Sequence, residues 1–201
     1  MDSRVDLYWI PLGAGGVATV RISGRIYERA VACRERRDPL DLYHTALEVR
    51  LKGERFVIEN AWPSPDDDIG SRGVVLTGPV WAPWLIRFRA FRYEVRCWKG
   101  GKVADIAEAV ATGEVSTDPK TASRLIDLAA TVPSLSWGRR IDHADEMWNS
   151  NSVISYLLAS AGLPAAEFQP PIGGTAPGWR TGIAVYDAGR ARASRESLPT
   201  S

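Results

Sequence analysis

The residues best placed for chemistry lie between Met147 and Leu158, where small polar side chains precede an apolar stripe. The polar residues are Asn149, Ser150, Asn151 and Ser152, and the apolar residues are Val153, Ile154, Leu157 and Leu158. This spacing predicts a buried helix from about Asn149 to Ala161. A hydroxyl or thiol in its first turn would lie beside unpaired backbone N–H groups, which stabilise negative charge and can bind an oxyanion. A plainer alternative is that these polar residues only cap the helix.

A histidine and a carboxylate occupy two predicted strands far upstream. Residues 40–50 and 55–61 alternate apolar and polar side chains around Lys52-Gly53-Glu54, which predicts a hairpin. His44 lies in the first strand, on a different face from Leu47 and Val49. Glu59 lies in the second strand, where it could orient the imidazole of His44 and hold it as a general base. Asn60 is an alternative orienter, although it points to the opposite face from Glu59.

Together these three segments resemble the permuted papain-like amidases and acyltransferases, the NlpC-like and lecithin–retinol-acyltransferase-like enzymes. The resemblance rests on His44-x-Ala46-Leu47, on Val57-Ile58-Glu59-x-Ala61, and on the polar start of the predicted helix, in that chain order. It implies an acyl-enzyme mechanism with His44 as base and Glu59 as its orienter. It also implies that Ser150 stands where the family usually has its nucleophilic cysteine.

A serine at position 150 has three explanations: an engineered Cys-to-Ser form, a natural serine enzyme, or a pseudoenzyme. We favour the first, because a serine hydroxyl has a pKa far from neutrality and would be nearly inert in a site built for a thiolate and an imidazolium. His143, in a predicted loop close to Ser150, is a competing base. Trp148, Asn149, Asn151 and Trp179 are expected to bind the substrate.

Composition restricts the classes of partner. The 201 residues carry a formal net charge of +1, so no overall field favours nucleic acid or an anionic membrane. No run approaches the roughly 20 apolar residues of a membrane span, and the N-terminus lacks the pattern of a secretory signal. These features predict a cytoplasmic protein. Cys33 and Cys97 do not form a metal or disulfide motif and are expected to be buried.

The remaining segments predict an α+β fold, an antiparallel sheet packed against helices. Strands are expected at 17–22, 73–77, 87–98 and 183–186, and helices at 103–110 and from Asp118-Pro119 onward. The resemblance implies a single papain-like domain over residues 1–189, with 190–201 as a disordered tail. The proline- and glycine-rich segment 170–178 is expected to border the cleft and to bury Trp179.

The sequence therefore predicts a thiol hydrolase of amides or isopeptides, present here as an inactive form. No cofactor or metal is required. Its partner would be a peptide, a protein tail or an acyl substrate, and the oligomeric state stays open. The alternatives are a non-catalytic module that holds a peptide or acyl ligand in the same cleft, and a lipid acyltransferase.

Overall fold

The computed structural model describes residues 3–13, 18–63, 73–101, 109–142, 144 and 146–196. Within these residues the chain is α+β, with a mainly antiparallel sheet and four α-helices. The strands are β1 (Arg4–Pro11), β2 (Asp41–Leu51), β3 (Glu54–Ala61), β4 (Val74–Pro79), β5 (Arg92–Lys99), β6 (Ala111–Ser116) and β7 (Gly174–Thr175). The helices are α1 (Ala18–Glu35), α2 (Pro119–Leu128), α3 (Ser150–Ser160) and α4 (Trp179–Glu196).

The sheet has the order β4-β5-β3-β2-β1-β6, with β2 near its centre. The hairpin predicted between β2 and β3 is confirmed. Its turn residues Lys52 and Gly53 both have positive φ values, 54° and 83°. This is the backbone of a two-residue primed turn, which matches the twist of the strands it joins.

The β2–β3 pairing is shorter than either strand. It extends from Leu51 and Glu54 only as far as Leu47 and Ile58. Beyond that point β2 continues along β1, while β3 continues along β5. The short strand β7 pairs in parallel with the first residues of β2, Asp41 and Leu42. The two central strands therefore stop pairing after Leu47 and Ile58, and groups from outside the sheet must satisfy the part of β2 that includes Tyr43.

The two faces of the sheet differ in character. One face packs against α2, α3 and α4 and contains the large core, with Leu7, Leu47 and Ile58 almost fully buried. The opposite face has a small apolar cluster of Ile10, Ala46 and Val57. Around that cluster lie buried carboxylates, each in an ion pair with an arginine: Asp6 with Arg4, Glu48 with Arg50 and Arg55, and Glu94 with Arg96.

Two predicted strands are helices in the structure. Residues 17–22 were expected to form a strand, but α1 begins at Ala18. Six alternating residues do not distinguish a strand from the start of a helix, and the good helix formers further along favour the helix. Residues 183–186 were also expected to form a strand, but they belong to α4, which continues through the predicted tail as far as Glu196.

Two further segments differ from the prediction. Gly113 was expected to end a helix, but it lies within strand β6; residues 102–108 of that predicted helix are outside the described residues. The strand expected from Arg87 begins only at Arg92, and two short 3₁₀ turns precede it. Cys33 is exposed, contrary to expectation.

Candidate functional site

The first turn of α3 is capped by its own polar side chains. The Asn149 side-chain oxygen accepts hydrogen bonds from the backbone N–H groups of Asn151 (2.9 Å) and Ser152 (3.3 Å). The Ser152 hydroxyl accepts one from the Asn149 N–H at 3.1 Å. This reciprocal pair is a capping box. Asn149 and Ser152 therefore do what the plainer interpretation of the sequence predicted.

Asn151 links α3 to the sheet where β2 and β3 separate. Its amide nitrogen donates to the carbonyl oxygens of Tyr43 and Pro177, both at 2.9 Å, and its oxygen accepts a hydrogen bond from the Thr45 hydroxyl at 3.0 Å. The residue is only 3% exposed. One buried amide thus supplies a partner to a β2 carbonyl that β3 no longer faces, so its polar groups are used within the protein.

The segment 170–178, called the strap below, binds over this helix start. The Asn149 amide donates to the Pro177 carbonyl, and the Ser152 hydroxyl donates to the Gly178 carbonyl, both at 2.8 Å. The Gly178 N–H donates to a Glu146 carboxylate oxygen at 2.7 Å. Gly178 has φ 83°, and an added Cβ would lie 2.4 Å from Asn149 Oδ1. The strap therefore lies at the start of α3, as predicted, but it hydrogen-bonds to the polar side chains there and so occupies them.

Trp148 and Trp179, expected to bind substrate, are core residues. Trp148 is fully buried, and its indole N–H donates to the Tyr93 hydroxyl at 3.3 Å. Burial raises the pKa of Tyr93 to about 12. Trp179 is 7% exposed, which confirms its predicted burial, and its indole N–H donates to the Ala165 carbonyl at 2.9 Å. Neither ring is available to a ligand in this structure.

His44 and Ser150 lie on opposite sides of the sheet. The Thr45 side chain points to α3, where it bonds Asn151. Because side chains alternate along a strand, its neighbour His44 points the other way. His44 is paired across the ladder with Ile10, which belongs to the small cluster on the far face. The prediction that His44 and Ser150 face each other is therefore wrong.

The alternation of residues along β2 already indicated that His44 and Ser150 would lie on opposite sides of the sheet. A buried helix must pack on the apolar face of β2, and that face carries Leu47 and Val49. His44 was correctly assigned to the other face, which was then taken for the cleft. Ser150 itself is 8% exposed, and within the described residues its hydroxyl makes no hydrogen bond. His143, the competing base, lies outside the described residues.

The two proposed orienters, Glu59 and Asn60, do not form one catalytic cluster with Ser150 and His44. Glu59 shares a face with His44, but its carboxylate lies 3.6 Å from the Arg96 guanidinium, which Glu94 also contacts at 3.0 Å. Asn60 is on the helix side, and neither polar atom of its buried amide has a hydrogen-bond partner among the described residues. Burial lowers the pKa of His44 to about 4. His44 is therefore a neutral, half-buried ring at physiological pH.

A second region exposes the side chains that proteins normally bury. It contains three tryptophans, Trp62, Trp81 and Trp84, which are 46%, 62% and 60% exposed, together with Ile86 (36%) and Phe88 (47%). With Arg87 these residues form what we call the aromatic–arginine surface. Aromatic side chains offer about 150–250 Å² each, so the four rings leave roughly 300–550 Å² of surface in water. Exposed apolar patches of this size are often functional.

Hydrogen bonds and ring packing fix the backbone beneath the aromatic–arginine surface. The Trp81 N–H donates to the Trp137 carbonyl at 2.8 Å, and the Trp137 ring packs 5.8 Å from the Trp62 ring. The Arg92 side chain donates to the carbonyls of Ile86 and Arg87. The Arg87 guanidinium stacks over the rings of Trp84 (5.1 Å) and Phe88 (4.8 Å). The exposed side chains are thus presented by fixed turns.

The charged residues between Pro79 and Tyr93, which carry most of this surface, are all arginines. Arg87, Arg89 and Arg92 lie between Pro79 and Tyr93, a segment that contains no aspartate or glutamate. Arg139 is exposed close by, two residues beyond Trp137. Sequence reasoning missed this region because residues 87–98 were predicted to form one continuous strand, which placed Arg87, Phe88 and Arg89 in the sheet.

No helix within the described ranges is long and apolar enough to cross a bilayer. Comparisons of the chain with protein-family models, with curated proteins and with solved structures find no match.

Proposed function

We propose that this chain is a non-catalytic binding protein and that its ligand contacts the aromatic–arginine surface. The observation that carries the proposal is the placement of Ser150 and His44 on opposite faces of the sheet. A general base must come within hydrogen-bond reach of the proton that it abstracts. Here strand β2 itself lies between the hydroxyl and the imidazole.

The polar groups at the start of α3 support the same conclusion. The side chains of Asn149, Asn151 and Ser152 already bond to β2, to the strap or to the helix backbone. A ligand there would have to displace these bonds. The proposed thiol hydrolase would need Ser150, His44 and Glu59 in one cluster, and Glu59 instead contacts Arg96.

The papain-like resemblance is kept as a proposal for the fold alone. It is supported by an antiparallel sheet packed against a capped helix that begins at the expected position. A fold can persist without the chemistry of its relatives, since activity belongs to the site.

The test uses Ser150→Cys in a Cys33→Ser background, because Cys33 is exposed and would react with probes. Alkylation of the new thiol by iodoacetamide is followed from pH 5 to 9. We expect no thiolate below pH 7 and no change in the reaction rate when His44→Ala is added. Labelling in urea controls for a thiol that is merely buried. Rapid labelling at pH 5 to 6 that disappears with His44→Ala would contradict the proposal and restore the hydrolase.

A further inference from the structure

We propose that the aromatic–arginine surface docks on anionic lipid bilayers and inserts its exposed side chains into the headgroup region. This inference rests on the proposed function and names its ligand. Trp84, Ile86 and Phe88 would meet the boundary between the headgroups and the acyl chains. The arginine side chains would meet the lipid phosphates.

The apolar side chains fit a membrane interface by their chemistry. Tryptophan is amphipathic, with an apolar body and one N–H donor, and is enriched at the level of the headgroups. Trp81 and Trp84 are both about three-fifths exposed, and Ile86 and Phe88 project from the same turns. These side chains pay for their exposure in water and would lose that penalty in the interface.

Charge complementarity selects an anionic surface. Within the described residues Arg87 stacks on rings, and Arg92 bonds carbonyl oxygens, so neither guanidinium is paired with a carboxylate there. Arg139 adds a further exposed positive charge. Basic side chains close to an anionic leaflet each strengthen binding by about fivefold. Apolar insertion and phosphate pairing together provide the two signals that stable peripheral binding requires.

A nucleic acid fits the same surface less well. Arg87 already stacks on Trp84 and Phe88, where bases would have to stack. Ile86 adds nothing to base stacking, whereas in a bilayer it is transferred out of water.

A folded protein partner also fits less well. Specific protein interfaces bury about 800 Å² on each partner, so a protein partner would have to cover polar surface around the roughly 300–550 Å² that the four exposed rings provide. A bilayer requires no minimum area and no matching shape. Of the three occupants, an anionic bilayer uses both the apolar and the charged side chains.

Vesicle co-sedimentation tests the inference with the full chain. The probes are vesicles of phosphatidylcholine with about one third phosphatidylserine, a fraction high enough for basic side chains to act on, and vesicles of phosphatidylcholine alone. We expect at least tenfold tighter binding to the anionic vesicles, and weaker binding at high salt because the charges are screened. Trp84→Ala with Phe88→Ala should weaken binding about tenfold or more, and Arg87→Gln about fivefold.

Matched controls come from other surfaces of the chain. Ile172→Ala removes a fully exposed apolar side chain from the strap, and Arg195→Gln removes an exposed charge from α4. Neither should change vesicle binding. Thermal unfolding of each variant shows that the substituted proteins remain folded.

Three results would overturn the inference: no preference for anionic vesicles, binding that Trp84→Ala with Phe88→Ala leaves unchanged, or binding to poly(U) RNA that competes with the vesicles. Failure here is distinct from failure of the proposed function. If vesicles do not bind and Ser150→Cys still shows no His44-dependent reactivity, only the lipid ligand is wrong. If that reactivity appears, the non-catalytic proposal is wrong whatever the vesicles show.

Discussion

The start of α3 and the aromatic–arginine surface contain similar residue types in opposite situations. At the start of α3, Trp148 is fully buried, and Asn151 uses both ends of its amide for hydrogen bonds within the protein. On the aromatic–arginine surface, Trp84 is 60% exposed, and Arg87 lies over its ring without a carboxylate partner among the described residues.

This contrast separates residues that could react from residues that are available to a ligand. Asparagine, serine and tryptophan at the start of a helix fit a catalytic site, but they also fit a cap and a core anchor. The hydrogen bonds decide between these roles. A side chain whose polar groups are satisfied internally contributes to the fold, whereas a large apolar side chain left in water contributes to binding.

The largest expected effect comes from comparing two single substitutions to alanine, one at the buried Trp148 and one at the exposed Trp84. Trp148→Ala should lower the free energy of unfolding by about 3–5 kcal/mol, because it leaves a cavity beneath the sheet and removes the bond to Tyr93. Trp84→Ala should change it by less than about 0.5 kcal/mol. Urea unfolding followed by circular dichroism measures both values. Similar losses for the two variants would show that Trp84 is also part of the core.

The next effect compares two adjacent polar residues at the start of α3. Asn151→Ala removes three hydrogen bonds, two of them buried, and leaves the Tyr43 carbonyl without its partner. It should reduce the free energy of unfolding by about 3 kcal/mol. Ser150→Ala, with no bond to lose within the described residues, should cost less than about 1 kcal/mol.

Chemical denaturation of both variants gives these values. A Ser150→Ala loss as large as that of Asn151→Ala would mean that the Ser150 hydroxyl has a buried partner. The contrast between the two positions would then disappear.

His44 makes the stability of the far sheet face depend on pH. Its pKa is lowered by burial to about 4, below the ordinary 6.5. The unfolded chain therefore binds a proton below pH 6.5 that the folded chain resists, so stability is full above pH 6.5 and is lost as the pH falls toward 4. Between pH 7.5 and 5 the loss should be about 2 kcal/mol.

Denaturation curves at a series of pH values measure this loss, and His44→Gln should flatten it. A slope that stays the same in His44→Gln would assign the loss to carboxylates of the same face. An opposite slope, with stability rising below pH 6.5, would mean that His44 has a carboxylate partner in the folded protein.

Much of the fold could be predicted from local patterns in the sequence. The hairpin of β2 and β3 follows from alternation around Lys52-Gly53, and α2 begins at Pro119 after its Asp118 cap. The polar start and apolar stripe of α3 gave its bounds within a residue. Each of these signals lies within about a dozen residues and depends little on the rest of the chain.

The parts that could not be predicted depend on contacts between distant segments. Asn151 gains its role only because β2 and β3 stop pairing after Leu47 and Ile58, and because the strap then lies within hydrogen-bond reach of it. The exposure of Trp84 likewise depends on how distant segments pack, since no element of the described chain covers it, and no local pattern records this.

The smallest expected effect concerns Trp81, whose backbone conformation destabilises the fold while its side chain packs and stabilises it. Its φ of 62° lies in the left-handed region, which costs a bulky residue about 1–2 kcal/mol, and asparagine adopts that region more readily. Packing of the Trp81 ring offsets only part of this cost, because the residue is 62% exposed and its ring centroid lies 6.0 Å from that of Phe91. Trp81→Asn should therefore stabilise the protein by about 0.5–1 kcal/mol, which raises the melting temperature by roughly 1–4 °C for a chain of this size. The same variant should weaken binding to anionic vesicles, and calorimetry together with co-sedimentation measures both changes. A Trp81→Asn variant that melts at a lower temperature would show that packing against Phe91 outweighs the strain, and Trp81 would then belong with Trp148 as a residue that contributes to the fold.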